Sequence, residues 1–185
     1  MKTTYKVVFV FLFALSFGCT VHITPEKFKV DPALIHDFKS DVPIKILVPE
    51  NAEKEYLIEF SGTQKSHGKA YVDLNDLYKN AKELMEEEIN FHNVPLSADA
   101  EKYLSFTIQK IQWEVWAGGF SIGSYLYFTI ETGDGYKKNY RVQDQSGMDV
   151  GRAVSGTITR AVEKIFQDKE VLAYIEGAKN TASGQ

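Results

Sequence analysis

The chain has 185 residues, a length that fits one domain with short additional segments. Hydrophobic residues make up 44% and charged residues 25%, which excludes an intrinsically disordered chain and a polytopic membrane protein. The net charge of -4 leaves no basic excess for binding nucleic acid. A single cysteine excludes an intrachain disulfide and a multi-cysteine metal site.

The N-terminus has the pattern of an export signal. Lys2 and Lys6 precede an apolar run over 7–15, and Cys19 follows a short stretch of small and apolar residues. The run is shorter than the roughly 20 residues that a transmembrane helix needs. We therefore predict a signal peptide over 1–18.

The surroundings of Cys19 resemble the lipobox of bacterial lipoproteins. Gly18 precedes the cysteine as in that family, whereas Leu15 lies four residues before it instead of three. The resemblance implies acylation of Cys19 by diacylglycerol and palmitate, loss of the preceding peptide and a membrane anchor. Because Thr20 and not Asp follows the cysteine, it also implies the outer membrane, with the domain facing the periplasm. The alternatives are an ordinary secretory signal or a buried, hydrophobic Cys19.

The stretch that follows the cysteine is typical of a linker. Over 19–41 prolines and scattered charges show no sustained period, which predicts a lipidated tether. The patterned part of the chain, 42–177, predicts a single domain, and the polar residues 178–185 predict a frayed tail.

The first part of the domain predicts short strands and one long helix. Apolar and β-branched residues predict strands over 44–48 and 56–60 and a strand-like segment over 69–72. Asp73 is suited to cap a helix that ends before Pro95. The apolar residues of this helix recur at three- and four-residue spacing on one face: Leu74, Leu77, Tyr78, Ala81, Leu84 and Met85.

A three-stranded meander follows the helix. The apolar phase of its first strand changes by one residue, which predicts a β-bulge near Gln109 or Lys110. With a turn at 117–118, the register that keeps the apolar residues on one face pairs Val115 with Phe120, Trp113 with Ile122, Ile108 with Leu126 and Phe106 with Phe128.

The loop between the second and third strands of the meander fixes their register. A two-residue loop would place polar residues against the core face. A three-residue loop over 133–135, with a glycine for the left-handed position, pairs Phe128 with Tyr140 on that face. The same register pairs Tyr127 with Arg141 on the opposite face.

Two further helices complete the domain. Asp149 precedes a helical pattern that extends to Gln167, and Asp168 is suited to cap a short terminal helix. The predicted fold class is α+β: a mainly antiparallel sheet with a three-stranded meander, two main helices packed on one face, and a short C-terminal helix. The apolar positions of the two C-terminal helices are Val150, Ala153, Val154, Ile158, Ala161, Val162, Ile165, Val171, Leu172 and Ile175.

The order of these elements resembles the small bacterial lipoproteins of the YajG type. The resemblance is carried by the lipobox-like start, the early strand, the long helix, the meander and the helical sequence 160–168 that leads into the terminal helix. The chain is also similar to auxiliary lipoproteins of ABC-type lipid transport systems. These resemblances imply a non-enzymatic, membrane-anchored envelope protein, and they carry over no catalytic residue.

Motifs for chemistry are missing from the sequence. The loop 62–69 differs from a phosphate-binding loop because five residues separate its glycines and Ala70 replaces the Ser or Thr. The acidic run 83–87 has no histidine beside it and is typical of a solvated helix face. We predict no catalytic residue, no metal site and no cofactor, since no two histidines share a ligand spacing among His22, His36, His67 and His92.

Aromatic residues concentrate on the meander and form the predicted partner-binding site. Trp116, Tyr125, Tyr127 and Arg141 fall on the face away from the helices, and Trp, Tyr and Arg dominate protein-binding hot spots. The alternative is that tyrosine is only a common β-former on a solvated face.

Two functions remain open at this point. The first is a lipid-anchored binding or scaffold subunit with an envelope protein as its partner. The second is a carrier or accessory protein that holds an apolar ligand for lipid or small-molecule transport. A carrier needs a concave apolar pocket on the order of 300–1,000 Å3.

Overall fold

A computed structural model describes residues 20–61, 68–116, 121–147 and 149–177. The strands are β1 (Thr20–Ile23), β2 (Ile44–Leu47), β3 (Tyr56–Phe60), β4 (Lys69–Val72), β5 (Lys102–Trp116), β6 (Ser121–Thr132) and β7 (Lys137–Ser146). The helices are α1 (Leu74–Phe91), α2 (Val150–Ile165) and α3 (Lys169–Glu176), and one 3-10 turn covers Pro32–Leu34. The predicted signal peptide, Cys19 and the predicted tail 178–185 lie outside the described residues.

Each helix begins at the aspartate that the sequence predicts as its cap. The Asp73 carboxylate accepts a hydrogen bond from the backbone of Asn75, Asp149 from Arg152, and Asp168 from Glu170 and Val171. The predicted apolar faces are buried, apart from the half-buried Val150 at the first position of α2. The spacing of the apolar residues, together with an aspartate that accepts hydrogen bonds at the N-terminus of each helix, was therefore sufficient to locate all three helices.

The α+β class is confirmed, but the sheet is mixed. The strand order is β1-β4-β3-β5-β6-β7, with β2 also paired to β5. Pairing is antiparallel in the meander β5-β6-β7 and between β3 and β4, whereas β1 with β4 and both β2 and β3 with β5 are parallel. Strands that pair in parallel are distant in sequence and are joined by crossovers. No local turn in the sequence therefore predicts which strands pair.

The register between β6 and β7 is as predicted. Tyr127 pairs with Arg141 and Phe128 with Tyr140, and Gly135 in the connecting loop has φ +93°. Only glycine adopts this left-handed conformation without strain.

The register between β5 and β6 differs from the prediction by two residues. Val115 pairs with Ile122 instead of Phe120, and Phe106 with Ile130 instead of Phe128. The bulge is confirmed between Ile108 and Lys110. A shift of two residues keeps every side chain on its face, so the apolar pattern alone does not distinguish the two registers. The turn at 117–118, on which the prediction depended, lies outside the described residues.

Two tyrosine hydroxyl groups cover a gap along one edge of β5. β2 pairs with β5 over 102–105 and β3 over 112–113, which leaves the middle of this edge without a strand partner. The Tyr78 hydroxyl oxygen accepts a hydrogen bond from the backbone N–H of Ile108 at 3.0 Å. The Tyr56 hydroxyl oxygen accepts one from Ile111 at 3.4 Å. These two backbone N–H groups beside the bulge therefore have hydrogen-bond acceptors although no strand pairs with them.

Residues 20–41, predicted as part of a tether, pack on the domain as an N-terminal strap. β1 pairs with β4, the backbone N–H of Glu26 donates to Ser155 Oγ at 2.9 Å, and the N–H of Asp31 donates to Glu163 Oε1 at 3.2 Å. The strap buries Ile23, Val30 and Phe38 in the core. Its isolated anchoring side chains have no periodicity, which is why the sequence reads as a linker.

Candidate partner-binding face of the sheet

The helices and the strap leave one face of the meander uncovered. Leu126, Phe128 and Ile130 of β6 are fully buried under α2 on the inner face. The alternate residues Tyr125 and Tyr127 lie on the opposite side, which we call the outward face together with its neighbours on β3, β5 and β7. This face is where the sequence predicts a partner-binding site.

The structure brings Tyr125, Tyr127 and Arg141 together as predicted. The Arg141 guanidinium carbon lies 4.2 Å from the centre of the Tyr125 ring and 5.7 Å from that of Tyr127. Tyr125 is only 9% exposed, and its hydroxyl donates a hydrogen bond to the Glu114 carboxylate. The arginine itself is exposed. Trp116 is paired with Ser121 at the end of β5, but its side chain lies outside the described residues.

Most other polar groups of the outward face are paired with one another. Lys110 Nζ lies 2.7 Å from Glu59 Oε2, and this carboxylate raises the pKa of the lysine. Lys137 and Glu131 form a second exposed ion pair at 3.0 Å. Such exposed pairs are screened by solvent and contribute little to stability. No carboxylate of the described residues lies within 4.0 Å of the Arg141 guanidinium, so the arginine differs from the lysines around it.

Sequence reasoning missed the residues that complete this face. Gln109, the bulged residue, donates from Nε2 to Thr129 Oγ1 at 2.5 Å and to Asn139 Oδ1 at 3.2 Å. Thr129 Oγ1 in turn donates to Asn139 at 2.7 Å. The change of apolar phase at the bulge was the available signal, since it places Gln109 and Glu114 on the same side as Tyr127.

Asp168 forms the most concentrated polar cluster away from this face. Its Oδ2 accepts hydrogen bonds from Lys138 Nζ at 2.6 Å, from the Tyr136 hydroxyl at 3.2 Å and from the Tyr140 hydroxyl. Burial raises the pKa of this carboxyl, but the hydrogen bonds from Lys138, from Tyr140 and from the backbone N–H groups of Glu170 and Val171 together outweigh burial and lower the pKa to about 2. Because Oδ1 caps α3, the cluster joins β7 to the terminal helix and serves the fold.

The described residues form neither a metal-binding cluster nor a membrane-spanning helix. Within 20–61, 68–116, 121–147 and 149–177, no three His, Cys, Asp or Glu side chains are grouped so that they could hold a metal ion. None of the helices in these ranges combines the length and apolarity needed to cross a bilayer.

One apolar groove lies at the end of the sheet where β1 begins. It encloses about 410 Å3 and is open along one side. Its apolar lining includes Val21, Ala70, Trp113, Ile122 and Val150. The volume is within the range that a small apolar ligand requires.

No protein-family model matches the sequence, and no curated protein matches it. Solved structures that are similar to the chain include the following two. One is a Xanthomonas campestris protein of family DUF330, with 12% identity over 85% of this chain and 95% of that chain and a TM-score of 0.48. The other is the rare lipoprotein B of Shewanella oneidensis, with 12% identity over 68% of this chain and 91% of that chain and a TM-score of 0.34.

Proposed function

We propose that the protein is a lipid-anchored, non-enzymatic subunit of a cell-envelope complex that binds a partner protein through the outward face. The observation that carries the proposal is the Arg141 guanidinium, held over Tyr125 and Tyr127 on an uncovered sheet face. The face is positioned by the meander, whose inner side is fixed by the buried residues of β6.

Folding alone gives little reason for this arrangement. An exposed cation over an aromatic ring is worth about 0.5–1 kcal/mol. For binding, the same geometry is favourable because the tyrosine rings hold the arginine in place and less side-chain entropy is lost on docking. A partner that places a carboxylate or backbone carbonyl against Arg141 would accept hydrogen bonds from its planar donors.

Anchorage is supported by the start of the chain. The signal-like run ends at Cys19, and acyl chains on this cysteine would hold the domain firmly on a membrane. The proposal also includes a finer assignment, which follows the sequence resemblance. We assign the protein to the outer-membrane lipoproteins of the YajG or transport-auxiliary type, with its domain facing the periplasm.

The non-enzymatic role is supported by the structural function of the side chains whose pKa values are most strongly shifted. Asp168 and Tyr140 have strongly shifted pKa values, Asp168 downward and Tyr140 upward, and each is engaged with the other inside the fold. Asp168 also lines a surface cleft of about 330 Å3, but both of its carboxylate oxygens are already occupied by hydrogen bonds within the fold. Structural networks of this kind shift pKa values as catalytic sites do.

Co-purification from mild-detergent extracts tests the proposal. We expect the Trp116→Ala/Arg141→Ala variant to keep the melting temperature of the wild type and to lose its co-purifying partner. The matched control is Lys79→Ala, an exposed residue on α1 that should retain the partner. Undiminished recovery of the partner with the double variant would contradict docking through the outward face.

The carrier alternative has less support. The groove beside β1 has sufficient volume, but it is open along one side and Lys69 and Asp149 contribute to its lining. A carrier encloses most of its ligand's surface. Native mass spectrometry of the purified protein distinguishes the two functions, because a carrier retains a stoichiometric ligand and a docking subunit does not.

A further inference from the structure

One end of the sheet is incompletely covered on its inner face. Val115 and Ile122 pair with each other on this face, the side that elsewhere forms the core. Val115 is nevertheless 37% exposed and Ile122 half-buried. Val150 at the start of α2 lines a groove together with Ile122, so the last apolar pair of the β5–β6 ladder is only partly covered.

β1 begins at the same end of the sheet. Thr20 pairs with Lys69 at the start of β4, and Phe60 at the end of the neighbouring β3 pairs with Trp113. Val21, the second residue of β1, is 44% exposed and lines the apolar groove. We call this region, with Val21, Trp113, Val115, Ile122 and Val150, the apolar end.

The opposite end of the sheet carries a group of charged residues. β2 and β5 begin there, and the loop between β6 and β7 closes it. Exposed or partly exposed charged residues mark this end: Asp99, Glu101, Lys102, Asp134, Lys137 and Lys138. This end also carries apolar surface, because Ile44, Leu47 and Leu96 line a groove there and Leu47 is 39% exposed. Exposed apolar surface of either end is typical of a protein that meets a membrane or another protein, so the position of the anchor decides which end faces the membrane.

We propose that the apolar end lies against the lipid bilayer to which the protein is anchored. The inference rests on the proposed acylation of Cys19, which directly precedes Thr20. Because Thr20 already pairs with Lys69, only about one residue, roughly 3.5 Å of chain, separates the acylated cysteine from the sheet. A tether this short fixes which end of the domain faces the membrane, and that end carries exposed Val21 and Val115.

The chemistry of this end suits a lipid surface. Apolar side chains enter the boundary between headgroups and acyl chains, and a lysine beside them reaches the headgroup phosphates. Lys69 lies at the rim of the groove, and Asp149 is the acidic residue that also lines it. The outward face with Arg141 runs along the side of the sheet and stays accessible to a partner.

Quenching by membrane-embedded probes tests the orientation. The lipidated full chain, in vesicles of phosphatidylethanolamine and phosphatidylglycerol, is labelled with an environment-sensitive fluorophore at Val115→Cys or, as the control, at Asp134→Cys. Cys19 is acylated and takes no label. We expect doxyl-labelled lipids to quench the Val115 label several-fold more than the Asp134 label. Both variants should keep the wild-type melting temperature.

The outcomes separate this inference from the proposed anchorage. Equal quenching of the two labels, while the protein floats with the vesicles, would overturn the orientation and leave the anchor standing. A Val115 label that is shielded from water but not quenched would show a protein occupant, which also overturns the proposal. Failure of the protein to float with the vesicles would contradict acylation and, with it, the orientation.

Discussion

The Asp168 carboxylate links three parts of the fold through its two oxygens. Oδ1 caps α3, while Oδ2 accepts hydrogen bonds from Lys138 and Tyr140 of β7 and from Tyr136 in the preceding loop. The sequence predicted the cap, because an aspartate precedes an apolar helical pattern. The contact with β7 requires the tertiary fold and had no local signal.

Asp168→Asn should lower stability at neutral pH by about 2 kcal/mol, the free-energy equivalent of the lowered pKa. The folded-state pKa of about 2 lies below the ordinary aspartate value of 3.8, so this stabilisation is complete above about pH 4 and is lost as the pH falls toward 2. Chemical denaturation of the wild type and the variant at pH 7 and pH 2.5 measures the difference in their free energies of unfolding. A wild-type advantage as large at pH 2.5 as at pH 7 would contradict the assignment.

Gly156 illustrates a residue whose importance comes from a close approach. A Cβ at this position of α2 would lie 1.7 Å from Asp144 Oδ2 and 2.6 Å from its Cγ. The Asp144 carboxylate also lies 3.7 Å from Arg160 Nε, so moving it disturbs that ion pair. The sequence does not show this contact, because a glycine within a helical pattern gives no indication of which residue packs against it.

Gly156→Ala should therefore destabilise the wild type, although alanine in an open helix site is favoured over glycine by about 1 kcal/mol. In an Asp144→Ala background the obstruction is absent, and the same substitution should become stabilising. Thermal unfolding of the four proteins in this cycle provides the measurement. The same sign in both backgrounds would rule out the steric explanation.

Among the elements, the N-terminal strap departs most from the sequence expectation. Phe38 is 1% exposed and stacks on Phe166 at 5.3 Å and on His92 at 4.1 Å between ring centres. Helices and hairpins were predictable because periodicity and turn residues are local. An extended segment that reaches the core through single side chains leaves no such pattern.

Phe38→Ala should cost about 3–5 kcal/mol, the range for truncating a buried phenylalanine. Leu34→Ala is the matched control within the strap, because Leu34 is 39% exposed and its loss should change stability little. Urea denaturation compares them. Equal, small effects would show that the strap is dispensable for the fold.

At the scale of the molecule, the sequence predicted the fold class and the inward and outward faces of the meander. It missed the parallel pairing of β2 and β3 with β5, since neither is connected to β5 by a turn whose length fixes the register. For the site, alternation placed Tyr125, Tyr127 and Arg141 on one face. The sequence did not show that Arg141 would lack an ionic partner among the described residues, while Lys110 and Lys137 have theirs.

Site-specific photo-crosslinking in living cells tests the central claim, that the outward face binds a partner, most directly. A benzophenone side chain replaces Tyr127 on the outward face or, as the control, the exposed Lys79 on α1. We expect a discrete protein crosslink at Tyr127 that is absent at Lys79 and is lost when Arg141→Ala is added. A crosslink at Lys79 but not at Tyr127, or a Tyr127 crosslink undiminished by Arg141→Ala, would contradict the account.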